Sequence, residues 1–158
     1  MQNILDKLRD FKKGIVLLGD LNGLLSQGEL ENEVLAALKE NVIKVRLTPE
    51  QIKDLEVNYS EKVQELFQMD IPEKDRKYSF ITVEENELIS KNSLFGNLIC
   101  EKRPLRIIFL ISMKALHTQS EEIKFLILGN MDNFLLGKIS SEDKELLEKD
   151  ASSEKVYL

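Results

Sequence analysis

The feature that most constrains the fold is an apolar run in the second half of the chain. Residues Ile107–Met113 read Ile-Ile-Phe-Leu-Ile-Ser-Met, with Ser112 as the one polar residue. The run is far shorter than the roughly 20 apolar residues of a membrane-spanning helix. A strand that is apolar on both sides is typical of the centre of a sheet covered on both faces. We therefore expect a buried central strand near residues 105–113.

Three segments carry the signature of a helix start. Thr48-Pro49-Glu50-Gln51 has the composition of a capping box with proline in the first turn. Ser120 precedes a second helical pattern, and Ser140 or Ser141 precedes a third. Such polar caps predict three helices downstream of these residues.

Apolar spacing predicts the other elements. A stripe of apolar residues at helical intervals predicts a helix over residues 2–13, and 29–40 has the same pattern. Shorter patterns predict strands near 42–47 and 78–83. Residues 132–136 are expected to continue the helix before them.

Together these elements predict an α/β or α+β fold. We expect a single layered domain over residues 1–150, with a mixed sheet, the buried central strand, and helices on both faces. The polar segment 151–158 is expected to be a frayed tail.

Composition excludes several classes of function. The 158 residues include 22 basic and 28 acidic side chains, a net charge of −6, which disfavours nucleic-acid binding. One Cys and one His exclude an internal disulfide, a thiolate zinc site and a multi-histidine metal site. We therefore expect no cofactor and no metal. With no signal-peptide pattern or membrane-length run, we expect a cytoplasmic protein without membrane insertion.

A few residues stand out as candidates for chemistry. His117 follows the central strand, where α/β sheets commonly carry functional loops. The segment Gly19–Gly23 superficially resembles a metal-binding Gly-Asp-x-His-Gly box, but Asn22 replaces the histidine, so a turn is expected. Cys100 is expected to be a small buried hydrophobe. Two basic clusters are expected to be solvated sheet edges: Lys74, Arg76 and Lys77, and Lys102, Arg103 and Arg106.

The second half of the chain also has a suggestive order of segments between Phe80 and Leu147. A basic-Pro-aliphatic segment enters the core strand, and a helix, an aromatic-leucine segment and a capped helix follow: Arg103–Ile111, Glu122–Leu126, Asn133–Leu136 and Ser141–Leu147. This order resembles the C-terminal half of the fructose/mannitol-class EIIA domains of the sugar phosphotransferase system.

The resemblance implies a degenerate module without phosphate transfer. The family's phosphorylated histidine, in an Ala-Ile-Pro-His motif, corresponds to Glu73 in Asp70-Ile71-Pro72-Glu73. A second family histidine corresponds to Glu122, and His117 lies five residues before it. The candidate interaction site is therefore Glu73, His117 and Glu122, in which the charge of Glu73 would imitate the phosphorylated form.

These observations favour a non-enzymatic regulatory domain that binds another protein. Two alternatives stay open. A small acidic chain also suits a bacterial chaperone, immunity or accessory protein that binds one client as a homodimer. A hydrolase or transferase that uses carboxylates is the other, because acidic residues are abundant enough to supply an acid–base site.

Overall fold

A computed structural model describes residues 4–85, 87, 92–150 and 152–158. Within them, six strands form one sheet in the order β2-β3-β4-β1-β5-β6, and every neighbouring pair runs parallel. The strands are β1 (Ile15–Leu18), β2 (Val42–Lys44), β3 (Tyr78–Glu84), β4 (Ile107–Met113), β5 (Asn133–Leu136) and β6 (Glu154–Tyr157).

Helices connect these strands. Those assigned within the described residues are α1 (Gln27–Leu38), α2 (Pro49–Val57), α3 (Tyr59–Leu66), α4 (Asn92–Cys100), α5 (Lys102–Leu105), α6 (Glu121–Asn130) and α7 (Ser141–Lys149). None of the helices in this part of the chain has the length and apolar character required to cross a bilayer.

The direction of each crossover decides which face its helix covers. From β1 the chain moves toward the β2 edge, whereas every later connection moves toward the β6 edge. Right-handed crossovers place helices on opposite faces for these two directions. Accordingly, α1 packs with the N-terminal segment on one face of the sheet, and α2, α3, α4, α6 and α7 contribute to the apolar core on the other.

The buried central strand is confirmed. Strand β4 pairs with β3 on one side and β1 on the other, and all its residues are buried except the half-buried Ser112. The strand begins at Ile107, because Leu105 belongs to α5 and Arg106 turns the chain with a φ of 55°. The α/β class is likewise confirmed, but the strand pairings are all parallel rather than mixed, apart from an isolated antiparallel bridge between Asp20 and Lys138.

The predicted helix starts are also confirmed. Thr48 Oγ1 accepts a hydrogen bond from the Gln51 backbone, and the Gln51 side chain accepts one from the Thr48 backbone, which completes the capping box. Ser120 caps α6 and Ser140 caps α7 through their hydroxyl oxygens. These caps were predictable because each involves residues three apart in the chain.

Three predictions of secondary structure are wrong. Of the predicted helix over residues 2–13, the described part forms two short 3₁₀ turns, because Asp10 adopts a left-handed conformation between them. Residues 133–136 form a fully buried strand, because β1 and β6 flank them. The expected tail contributes β6, whose residues 154–157 pair with β5.

Candidate functional site

The chain reverses its direction of travel across the sheet at β1, which makes the carboxyl ends of its strands the place to seek a site. Open parallel sheets bind ligands outside these ends, at the point where connections depart to opposite faces. An open cleft of about 940 Å³ lies here. Its polar and charged lining comes from the loops after β1, β3, β4 and β5: Asp20, Asn22, Glu84, Glu85, Ser112, Lys114 and Lys138.

Backbone hydrogen bonds close the floor of this cleft between β1 and β5. Asp20 N donates to Lys138 O over 3.0 Å, and Lys138 N donates to Asp20 O over 2.7 Å. Gly137 N also donates to Leu18 O. The two loops are thus joined by the antiparallel bridge where a crevice would otherwise open.

Two glycines permit this close approach. A Cβ on Gly137 would lie 2.2 Å from Asp20 O, and a Cβ on Gly19 would lie 2.5 Å from Lys138 O. Gly19 also has a φ of +93°, which other residues rarely adopt. The sequence signal was present in these glycines, but their shared role appears only when the two loops meet.

Several backbone donors of the loop between β1 and α1 also have acceptors within the protein. Phosphate-binding loops at such positions aim free backbone N–H groups at the ligand. Here Gly19 N donates to Met113 O, and Asn22 N donates to the Asp20 carboxylate, both over 3.0 Å. Further along, Glu29 N donates to the Ser26 hydroxyl. The expected turn at Gly19–Gly23 is therefore observed, and the protein's own acceptors occupy the amides of Gly19, Asp20 and Asn22.

Beside the cleft, the partly exposed side chain of His117 pairs with the buried side chain of Asp143. The Asp143 side chain is 1% exposed and accepts hydrogen bonds from the backbones of Leu116 and His117 and from His117 Nδ1, the last over 2.9 Å. Because a carboxylate can only accept, Nδ1 is the donor in this contact. The ring is thereby held in one orientation with a third of its side chain exposed.

Ser140, the serine seen next to this pair in the described part of the chain, does not complete a Ser-His-Asp catalytic arrangement. Ser140 Oγ lies 3.3 Å from His117 Nδ1, the nitrogen that already contacts Asp143. A nucleophilic serine would have to approach Nε2 for the ring to remove its proton.

Cys100 lies at the exposed end of α4, contrary to the expectation that it is buried.

The structure brings together two of the three predicted site residues. His117 lies in the loop between β4 and α6, and Glu122 lies in the first turn of α6. Glu73 instead precedes β3, and its backbone oxygen accepts a hydrogen bond from Arg106 at the start of β4. It therefore lies at the amino end of the sheet, about 20 Å away along a seven-residue strand.

The helix that follows the His117 loop, α6, begins with acidic residues and carries an exposed aromatic ring. Phe125 is 74% exposed one turn after Glu122. Glu142 opens α7, and its own backbone N–H, together with nearby His117, lowers the pKa of this carboxyl despite an opposing desolvation effect. The sequence indicated neither the exposure of Phe125 nor the contact between Asp143 and His117, because both residues follow an ordinary helical pattern.

Carboxylates are grouped around the cleft without forming a metal cage. Among the described residues, no three His, Cys, Asp or Glu side chains converge closely enough to hold a metal ion. Glu85 accepts a hydrogen bond from Gln119, which ties the end of β3 to the loop after β4.

No protein-family model, curated protein sequence or solved structure matches the chain.

Proposed function

We propose that this chain is a non-enzymatic domain that works by binding another protein at the carboxyl edge of its sheet. The observation that carries the proposal is the closed loop after β1. Three of its backbone donors, the N–H groups of Gly19, Asp20 and Asn22, are of the kind that similar sheets offer to a small ligand, and here they are bonded to Met113, Lys138 and Asp20 of the same chain. When these loop donors are used within the chain, the outer surface of the loops and helices is what remains available to bind a partner protein.

The docking surface we propose comprises His117, Glu122, Phe125 and Glu142. Aromatic residues are enriched at protein interfaces because a rigid ring offers a large contact area at a small entropic cost. Phe125 presents such a ring, and Glu122 lies on the same helix three residues before it. The Asp143 contact fixes the orientation of His117, so less freedom is lost on binding.

The charge of this surface favours a partner of complementary chemistry. Glu122 and Glu142 are both exposed in the first turns of their helices. A partner with an apolar pocket for Phe125 and basic side chains at its rim would match the surface. Glu73 is excluded from it by its place at the opposite end of the sheet, so an EIIA-like site formed by all three predicted residues is not part of the proposal.

The test is a pull-down from the source lysate with lysine-directed cross-linking and mass spectrometry. Phe125→Ser removes the exposed ring, and Glu122→Lys reverses the charge beside it. We expect Phe125→Ser to lower the affinity for the partner at least about tenfold, as substitution of an interface hot spot does. Cross-links are expected at Lys114, three residues before His117, and at Lys124, between Glu122 and Phe125 in the chain.

Val57→Ser provides the matched control. Val57 is 80% exposed at the end of α2, so its loss removes an exposed apolar side chain elsewhere. Recovery of the same partner by wild type and Val57→Ser but not by Phe125→Ser would support the proposal. Equal recovery by all three variants, or cross-links confined to Lys12 and Lys102, would contradict it.

A carboxylate-dependent hydrolase or transferase is the second candidate. Asp20, Glu84 and Glu85 line the open cleft at the carboxyl edge together with Lys114 and Lys138, which supplies the residue types that acid–base chemistry uses. A panel of ester, phosphoester and glycoside substrates separates the two candidates. Turnover by wild type that Glu84→Gln abolishes would favour the enzyme, whereas no turnover together with loss of a partner in Phe125→Ser would favour docking.

A further inference from the structure

The amino edge of the sheet has a second cavity of about 270 Å³. It lies where the chain enters β1, β3, β4 and β5, at the opposite end of the strands from the docking surface. Its lining includes five basic side chains and three acidic ones: Lys12, Lys13, Lys102, Arg103 and Arg106, and Asp10, Glu73 and Asp132. A local excess of positive charge contrasts with the net charge of −6 over the whole chain.

The basic side chains of this cavity are not neutralised by ion pairs. In the described part of the chain, none of the five has a carboxylate oxygen within 4.0 Å. The Asp10 carboxylate accepts a hydrogen bond from the Lys12 backbone, and Glu73 receives Arg106 at its backbone oxygen. The cavity therefore retains cations that can interact with an added anion.

Contacts within the cavity hold two of these cations in place. The Arg106 guanidinium stacks 4.1 Å from the centroid of the Tyr78 ring, and Lys12 Nζ lies 5.6 Å from the same centroid. Arg106 also donates through Nη1 to Glu73 O over 3.1 Å, while its buried Nε has no hydrogen-bond partner among the residues that the structure describes. A guanidinium placed in this way is ordered before any ligand arrives.

The backbone is strained at the same place. Arg106 has φ 55° and ψ 50°, and Asp10 has φ 41°. A left-handed conformation is unfavourable for a residue with a Cβ, and such strain concentrates at binding and active sites. In this cavity the strained turns direct Arg106 toward Tyr78 and start the segment that carries Lys12 and Lys13.

Lys102 adds a partly buried charge. Desolvation lowers the pKa of its ammonium, the opposing attraction of Asp132 raises it, and repulsion from Arg103 and Lys13 lowers it further. A bound anion would favour the protonated form, because an opposite charge nearby stabilises an ammonium.

We propose that this cavity binds the dianion of a small phosphomonoester. Arginine offers a planar fork that matches phosphate oxygens, and lysines supply point charges around it. The volume is at the lower end for ligand pockets, which favours a phosphate with a short organic group over a nucleotide. The cavity does not overlap the proposed docking surface, so the two can be tested independently.

The experiment is an NMR titration of the ¹⁵N-labelled chain with inorganic phosphate and with glycerol 3-phosphate, with acetate as the control. We expect saturable shifts in the amides near Lys12, Arg106 and Tyr78 and unchanged amides at Gly19–Gly23. The affinity should fall as sodium chloride is added, because salt screens the attraction. Equal affinity for the two phosphates would assign recognition to the phosphate group alone, and tighter binding of glycerol 3-phosphate would assign part of it to the cavity; either supports the proposal.

Two variants complete the test. Arg106→Gly removes the guanidinium while tolerating the left-handed backbone, and Lys102→Met removes the ammonium while keeping an apolar stem. Each is expected to weaken phosphate binding about tenfold, whereas Lys149→Gln, an exposed control on α7, leaves it unchanged. The proposal is overturned if acetate binds as tightly as phosphate, if no saturable shift occurs, or if both variants bind as wild type does.

Discussion

The two edges of the sheet use their polar groups in opposite ways. At the carboxyl edge, the loops after β1 and β5 bond to each other through Asp20 and Lys138. At the amino edge, Lys102 and Arg106 face a cavity and have no carboxylate within ion-pair distance in the described residues. The connectivity of the strands decides where a crevice forms, but the local bonding of each loop decides whether its polar groups are free to bind a ligand.

Glycines allow the close contact at the carboxyl edge, whereas residues with a left-handed backbone shape the cavity at the amino edge. Gly19 and Gly137 let two backbones approach closely at the carboxyl edge. Left-handed Asp10 and Arg106 shape the turns at the amino edge. Substitutions at the two edges should therefore have different effects on stability and on binding.

The largest effect is expected for Gly137→Ala, which tests the closure of the carboxyl edge. The new Cβ would lie 2.2 Å from Asp20 O, so the bridge between the loops must separate or the strands must shift. We expect a loss of about 3 kcal/mol in the free energy of unfolding, measured by urea denaturation.

Gly129→Ala is the control for this substitution. Gly129 lies in α6, and an added Cβ there would have nothing within 4 Å, so alanine should leave stability unchanged or raise it by up to about 1 kcal/mol. A Gly137→Ala variant as stable as Gly129→Ala would show that the bridge is not a rigid contact.

Asn133→Ala is expected to loosen the amino edge. The Asn133 side chain is fully buried; its Oδ1 accepts from Arg9 N over 2.7 Å, and its Nδ2 donates to Arg9 O and Gly14 O over 3.0 Å. Removing it leaves these backbone groups without their partner, at a cost of about 2 kcal/mol in urea denaturation. The segment carrying Lys12 and Lys13 should move as well, which weakens phosphate binding at that edge.

Asn58→Ala serves as the comparison, because the Asn58 side chain is exposed and bonds only to Glu61 among the partners observed in the described residues. Its stability should stay within about 0.5 kcal/mol of wild type. If Asn133→Ala changed stability as little as this control, Asn133 would not be what anchors the N-terminal segment.

The smallest effect is expected for Glu31→Gln, and it should depend on pH. Burial raises the pKa of Glu31, but hydrogen bonds from Lys44, Thr82 and Gln27 outweigh it and hold the pKa below its ordinary value of 4.5. A carboxyl with a depressed folded-state pKa stabilises the fold above its unfolded pKa, and this stabilisation is lost as the pH falls through the folded value.

Urea denaturation of wild type and Glu31→Gln at several pH values checks this. Wild type should be more stable by under about 1 kcal/mol at pH 7, since the ion pair with Lys44 is partly exposed. The difference should narrow as the pH falls below 4.5. A difference that is constant over the acidic range would show that hydrogen bonding to the neutral side chain, rather than the charge, accounts for the effect.

Sequence patterns predicted the features that depend on neighbours in the chain. The apolar run predicted β4 because burial on both faces needs apolar residues at every position. The Thr48 capping box was predictable because the reciprocal bonds join residues three apart. The turn at Gly19–Gly23 followed from a glycine-flanked Asp and Asn, and Asp20 does bond to the Asn22 backbone.

The candidate site was only partly predictable. His117 and Glu122 share one end of the sheet because they are close in sequence, and Glu73 does not join them because it precedes a strand that they follow. Asp143, the partner that orients His117, has an ordinary position for an acidic residue in the first turn of a helix. Nothing local indicates that its carboxylate reaches a loop 26 residues earlier in the chain.

By itself, then, the sequence narrowed the fold to the α/β or α+β class and determined the buried centre of the sheet and the starts of three helices, because propensity, capping and burial act over a few residues. The tertiary structure alone decided that residues 133–136 and 154–157 are strands, because each gains its hydrogen bonds from a distant neighbour. It also decided which glycines meet across the carboxyl edge and which cations meet at the amino edge. Those contacts join parts of the chain whose distance in sequence carries no local signal.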